Sequence, residues 1–162
     1  MRVTVWRHGE AGAALRDEDR ALTNRGRRSL VSAALAFNES CGAPLPTRIH
    51  YSPLRRTEQT ASVIGEQFPK AIMRVCPALA PGANLHDPQS FLLGQDAEDT
   101  SAHLILVTHQ PFVSELIWYW LDDFNVPPIA PGGFCVMELL APTRGGALLL
   151  QAVPDVLGRF YE

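Results

Sequence analysis

Lysine is nearly absent from this chain. Of its fourteen basic residues only Lys70 is a lysine and the rest are arginines, whose planar fork suits phosphate oxygens better than an ammonium point charge does. Cysteine is scarce as well. Cys41, Cys76 and Cys135 are far apart and form no C-x-x-C or Cys/His zinc spacing, so ordinary reduced thiols are expected. No H-x-x-x-H pair or acidic cluster suggests a metal site, and none is expected. No apolar run reaches membrane length. A signal peptide is not expected either, because Arg7-His8-Gly9 interrupts the first apolar run where a leader would continue. The expectation is a cytoplasmic protein without membrane contact. Basic excess is missing too: a net charge of −3 argues against a general nucleic-acid binder, which needs a basic face. Internal repeats, linkers and low-complexity blocks are also lacking.

What remains is an ordinary globular composition, 46% hydrophobic and 19% charged over 162 residues. That length suits one domain spanning 1–162 with a real core. Residues 2–6 read as a buried strand built on Val3 and Val5. A polar loop from Ala11 to Leu22 follows. Thr23 is then a plausible N-cap for a helix to about Asn38, with an apolar stripe of Leu30, Val31, Ala34, Leu35 and Phe37. Gly42, Pro44 and Pro46 break that helix. Arg48 to Ser52 reads as a strand, and Ser52-Pro53 as the cap and first position of a helix to about Phe68.

Ile72 to Val75 gives a third strand. The stretch from Pro77 to Asp99 is irregular, with a short helix expected around Gln89 to Leu93. His103 to Thr108 is a near-continuous apolar run, as in a parallel strand covered on both faces. A helix from Phe112 to Leu121 and a loop from Val126 to Gly133 follow. Phe134 to Leu140 and Ala147 to Val153 then flank Thr143-Arg144-Gly145-Gly146 as an antiparallel hairpin. This order predicts a three-layer α/β/α sandwich with a mostly parallel central sheet and a C-terminal antiparallel hairpin.

Three strand-to-helix junctions carry the chemistry. The first strand stops at Arg7-His8-Gly9, where a flexible glycine follows the histidine. The second junction, Ser52 to Thr60, sets Arg56 in the first turn of a helix, a poor place for a cation unless an anion sits nearby. The third is Thr108-His109-Gln110-Pro111. In a parallel sheet all three fall along the carboxyl edge, where open α/β sheets bind ligands and helix N-termini favour anions. Two histidines and several arginines at one such edge suggest a phosphoryl-transfer pocket. Arg55 is expected to be solvated or in a salt bridge. His50, His86 and His103 lack motif support and are read as structural or exposed. Ser52 is read as an N-cap, not a nucleophile.

Four ordered motifs resemble the histidine phosphatase superfamily, of phosphoglycerate-mutase-like fold, and within it the small SixA-type phosphohistidine phosphatases. They are R-H-G-E at 7–10, R-A-L-T at 20–23, S-P-L-R-R-T-E-Q-T-A at 52–61 and V-T-H-Q-P at 107–111. The resemblance implies that His8 attacks phosphorus and is transiently phosphorylated before water hydrolyses the intermediate. It implies that Arg7 and Arg56 clamp the phosphoryl oxygens and that His109 donates a further hydrogen bond. Arg20 extends the basic rim toward phosphate or substrate. Neither metal nor cofactor is called for.

The acidic proton donor that larger family members carry on an insertion has no obvious counterpart here; Glu10 and Asp87 are the two candidates. An imidazole, with a pKa near 6.5, needs such an acid less than an alkoxide does. The expected substrate is therefore a phosphohistidine on a protein, such as a histidine phosphotransfer domain. The alternatives are a phosphomonoesterase for a small phosphorylated metabolite and a phosphate-binding module without turnover.

Overall fold

The structure, a computed structural model, describes residues 1–83, 102–139, 145–154 and 160–161. Among them, seven strands form one sheet in the order β3-β2-β4-β1-β5-β6-β7. The strands are β1 (Arg2–Arg7), β2 (Arg48–Tyr51), β3 (Ile72–Val75), β4 (His103–Thr108), β5 (Phe134–Glu138), β6 (Ala147–Pro154) and β7 (Phe160–Tyr161). β3, β2, β4 and β1 run parallel, and β5, β6 and β7 complete the sheet as antiparallel neighbours. The helices are α1 (Asn24–Ser40), α2 (Arg55–Gly65) and α3 (Phe112–Leu121). β7 had no counterpart in the sequence pattern. The helix expected near Gln89 to Leu93, the residues of the hairpin turn up to Arg144, His86 and Asp87 lie outside the described residues.

Alternation along the central strands splits the core into two layers, because successive side chains leave a strand on opposite faces. Val3, Val5, Leu104 and Leu106 pack under Val113, Leu116, Ile117 and Trp120 of α3. Trp6, Ile49, Ile105 and Val107 pack on the other face with Leu30, Ala34 and Phe37 of α1 and Ala61 and Ile64 of α2. The result is the expected three-layer α/β/α arrangement. All six residues of β4 are buried, as its unbroken apolar run required. Among the described residues no helix is long and apolar enough to cross a membrane.

Three expectations need correction. Val31 and Leu35 were placed on the inner stripe of α1, yet both are exposed. The buried stripe is Gly26, Leu30, Ala33, Ala34 and Phe37, because the helix sits close to the sheet and the small alanines face it. α2 begins at Arg55 behind Leu54, with no side-chain cap. Ser52 is two residues too early to cap it, and its hydroxyl is used elsewhere. The helix also ends at Gly65, before Phe68. The cap at α1 is as expected: the Thr23 hydroxyl accepts from the Gly26 amide at 2.9 Å.

Candidate active site

Register sets the site. Arg7 of β1 lies opposite Thr108 of β4, and Tyr51 of β2 lies opposite Val107. The three parallel strands therefore end side by side. Their next residues, His8, His109 and Ser52, are the first to leave the sheet. Backbone bonds hold them there, His8 N–H to the Thr108 carbonyl at 3.1 Å and Ser52 N–H to the Val107 carbonyl at 3.1 Å.

The His8 ring is oriented from both sides. Nδ1 lies 2.8 Å from the Gly9 carbonyl, which can only accept, so Nδ1 carries the ring hydrogen. Arg56 Nε–H donates to His8 Nε2 at 3.3 Å, so that nitrogen presents its lone pair. Burial takes the His8 pKa down to about 4; the Gly9 bond opposes this, and the charges of Arg56, Arg7 and Arg20 add to it. At neutral pH the ring is uncharged, and Nε2 carries an unprotonated lone pair that can act as a nucleophile once it leaves Arg56.

Gly9 is where the chain turns from strand to loop, and its use is room. A Cβ there would lie 2.4 Å from Leu30 Cδ1, and Leu30 is fully buried. The Gly9 N–H donates to the Thr60 hydroxyl at 3.1 Å, and that hydroxyl donates to the Arg56 carbonyl at 2.7 Å. Thr60 thus ties the histidine loop to the first turn of α2. Its four-residue spacing from Arg56, one helical turn, was the available signal.

His109 faces His8 with ring centroids 5.1 Å apart. Its Nε2 lies 2.7 Å from Ser52 Oγ in a buried contact, which is the use of the Ser52 hydroxyl. Burial, with the nearby His8 and Arg56, pushes the His109 pKa to about 3. Its Nδ1 is buried and has no hydrogen-bond partner among the described residues. Arg7 donates from one terminal nitrogen to the Ile129 carbonyl at 2.8 Å, while its Nε is likewise buried without a partner among the described residues. Burial also lowers the Arg7 pKa. Buried polar atoms left unpaired are costly in a folded protein and call for a ligand or an explanation.

Arg56 is only 4% exposed. Beyond its bond to His8 it donates to the Asp17 backbone carbonyl at 2.7 Å and to the Asp17 carboxylate at 2.9 Å. Arg20 is held by the Gly12 carbonyl at 2.8 Å and by the other Asp17 carboxylate oxygen at 3.3 Å. Asp17, on a short 3-10 turn from Asp17 to Asp19, was missed in the sequence because nothing periodic marks it.

Glu10 turns to the N-terminus of α1. It accepts from the Thr23 hydroxyl at 2.8 Å and pairs with Arg25. Thr23 and Arg25 hold its carboxyl below the usual range, so at neutral pH it has no proton to give. Arg55 is exposed. His103 is fully buried, with Nε2 on the Thr4 hydroxyl and Nδ1 on the Pro44 carbonyl, and His50 is buried too.

A parallel sheet edge carrying two neutral histidines and a buried arginine beside a helix N-terminus has the donor set that oxyanion chemistry needs. A profile of the histidine phosphatase superfamily (branch 1) matches residues 3–80, which contain Arg7, His8 and Arg56. The whole fold is similar to that of a protein histidine phosphatase SixA solved with tungstate, at TM-score 0.80 and 23% identity over 93% of this chain and 96% of that one. It is also similar to a SixA protein from Agrobacterium tumefaciens, at TM-score 0.77 and 19% identity over 94% and 97%. A mycobacterial glucosyl-3-phosphoglycerate phosphatase shares the fold at TM-score 0.70 and 18% identity over 92% and 97%. No curated protein matches the chain in sequence. The first half of the chain thus matches the profile of that superfamily, and the chain as a whole has the fold of these solved phosphatases.

Proposed function

We propose that the protein is a phosphatase that hydrolyses phosphohistidine on a protein, through a covalent phosphohistidine intermediate at His8 and without a metal. The observation that carries the reading is the His8 ring, neutral, with Nδ1–H fixed on the Gly9 carbonyl and the Nε2 lone pair toward Arg56. In the first step Nε2 bonds to phosphorus as the phosphorus–nitrogen bond of the substrate breaks. A substrate imidazole protonated on its other nitrogen then leaves as neutral imidazole. In the second step water forms a phosphorus–oxygen bond, the bond to His8 breaks, and phosphate and neutral histidine are regenerated. Charge on the equatorial oxygens is met by Arg56, Arg7 and His109. Such fixed donors, aimed before the reaction begins, supply most of the catalysis that phosphoryl transfer needs.

The choice of substrate rests on the carboxylates. Glu10 is held ionised by Thr23 and Arg25, and Asp17 by Arg56 and Arg20. Among the described residues neither of these two carboxylates is a proton donor at neutral pH, which suits an imidazole, the leaving group that needs an acid least. The SixA likeness is in keeping with this, as one such relative is described as a protein histidine phosphatase.

The test is phosphate release from a phosphohistidine-bearing carrier protein and from an aryl phosphate, each with wild type and His8→Ala. Release from the carrier by wild type alone is expected. Equal release by both proteins would remove His8 as nucleophile. Turnover of small phosphate esters with none on phosphohistidine would assign the site to a metabolite phosphatase. Tight phosphate binding without turnover of either substrate would leave only a binding module.

A further inference from the structure

The Arg56 guanidinium has two usable edges. Asp17 occupies the end formed by the two terminal nitrogens, one on its backbone carbonyl at 2.7 Å and the other on its carboxylate at 2.9 Å. The Nε edge is turned to His8 Nε2 at 3.3 Å, where a transferring phosphoryl group has to sit. A planar fork gripped at one end by two oxygens of a single residue cannot rotate about its long stem. The Nε edge, which rests on His8 Nε2, is therefore aimed at the phosphoryl position before any ligand arrives.

Asp17 is itself anchored. Its second carboxylate oxygen accepts from Arg20 at 3.3 Å, and Arg20 reaches the Gly12 and Ala11 carbonyls at 2.8 and 3.4 Å. The same stretch is pinned by the Gly12 amide on the Ala21 carbonyl at 2.9 Å. Arg20 thus spends its fork on its own loop and on Asp17.

We propose that Asp17 is a positioning residue for Arg56, holding the terminal nitrogens so that the Nε edge receives the phosphoryl oxygens, with Arg20 as the anchor of Asp17. The assignment rests on the phosphoryl-site reading above. It predicts that Asp17 assists oxyanion binding despite its negative charge, because it and the ligand use different edges of one guanidinium. Losing the grip frees an arginine side chain, whose rotamer entropy must then be spent on each binding event.

The experiment measures tungstate as a competitive inhibitor of aryl phosphate hydrolysis, or directly by calorimetry. The variants are Asp17→Ala, Asp17→Asn, Arg56→Ala and the double variant Asp17→Ala/Arg56→Ala, each checked for an unchanged thermal transition. Asp17→Ala is expected to weaken tungstate binding about tenfold, the scale of one charge-assisted hydrogen bond. Asp17→Asn, which keeps an acceptor oxygen, should recover part of that loss. In the Arg56→Ala background the Asp17 substitution should add nothing, the signature of a residue acting through its partner.

Equal or tighter binding by Asp17→Ala would overturn the proposal by making Asp17 a bystander or a competitor. Full additivity in the double variant would overturn it by detaching Asp17 from Arg56. Failure of the wild type itself to bind tungstate would remove the phosphoryl-site reading, and this inference with it.

Discussion

Gly26→Ala is the substitution whose sign the structure decides against the usual rule. Inside a helix, alanine is favoured over glycine by about 1 kcal/mol. At Gly26, however, a Cβ would lie 2.3 Å from the Glu10 carbonyl oxygen and 3.0 Å from both the Glu10 amide nitrogen and Cβ. Ordinary non-bonded contacts to carbon lie at roughly 3.5 to 4.0 Å, so α1 and the loop must part by about 1 Å. Neither yields freely. The Glu10 carbonyl accepts from the Thr23 amide at 2.9 Å, and its carboxylate is held by Thr23 and Arg25.

Overpacking of this kind costs about 1–3 kcal/mol, and the upper part of that range, about 2–3 kcal/mol, applies where backbone must shift. The clash outweighs the propensity gain, for a net loss of about 1–2 kcal/mol. In a chain of this size that lowers Tm by roughly 2–8 °C. The displaced loop begins at His8, so activity should fall as well. Thermal and urea unfolding would be compared with Gly65→Ala. There the added carbon meets Met73 Sδ at 2.9 Å, the end of a flexible, partly exposed side chain that can move aside. A Gly26→Ala protein as stable as the wild type, or more stable than Gly65→Ala, would refute the reasoning.

Two further outcomes follow from the histidines. Because burial holds the His8 pKa at about 4, phosphorylation of His8 by an aryl phosphate should stay near its full rate from pH 7 to about 5. It should be half lost only near pH 4, as protonation removes the Nε2 lone pair; a quench-flow profile with its midpoint at 6.5 would contradict the buried, neutral ring. Ser52→Ala leaves His109 Nε2 without its 2.7 Å partner and frees the ring to take its other tautomer. The expected result is a kcat lower by roughly tenfold or more, largely restored in Ser52→Thr, and an unchanged kcat would deny Ser52 that role.

The parts of this molecule that could be read from the chain are those governed by local pattern. The apolar run 103–108 could only be a covered strand, and Thr23 before a helical stripe could only be a cap; both are so in the structure. Ser52-Pro53 fits the same capping rule and misleads, because the buried His109 competes for the hydroxyl. Local chemistry cannot report a partner 57 residues away. Gly9 reads as flexible, whereas its constraint is the Leu30 side chain of a helix that begins 15 residues later. The inner face of α1 is narrower than a hydrophobic stripe suggests, since Val31 and Leu35 satisfy the period and still face water. Arg7, His8 and His109 were legible because they stand at strand ends, where a pattern breaks off, and Arg56 because it stands in the first turn of a helix. Asp17 interrupts no pattern, and its role depends wholly on the arginine it meets in space.

The register that sets Arg7 against Thr108 has a consequence for how the site comes apart. His8 and His109 hang from the ends of two hydrogen-bonded central strands whose interior residues are fully buried. In hydrogen-exchange terms the amides of those two strands belong with the slowest, globally protected class, since separating the two rings means unzipping the middle of the sheet. Asp17 sits instead on an exposed turn, among amides that exchange through local opening. The nucleophile and its companion would then persist for as long as the molecule stays folded. The aim of Arg56 would be the first thing to drift with heat or denaturant, so binding affinity should soften before the fold does.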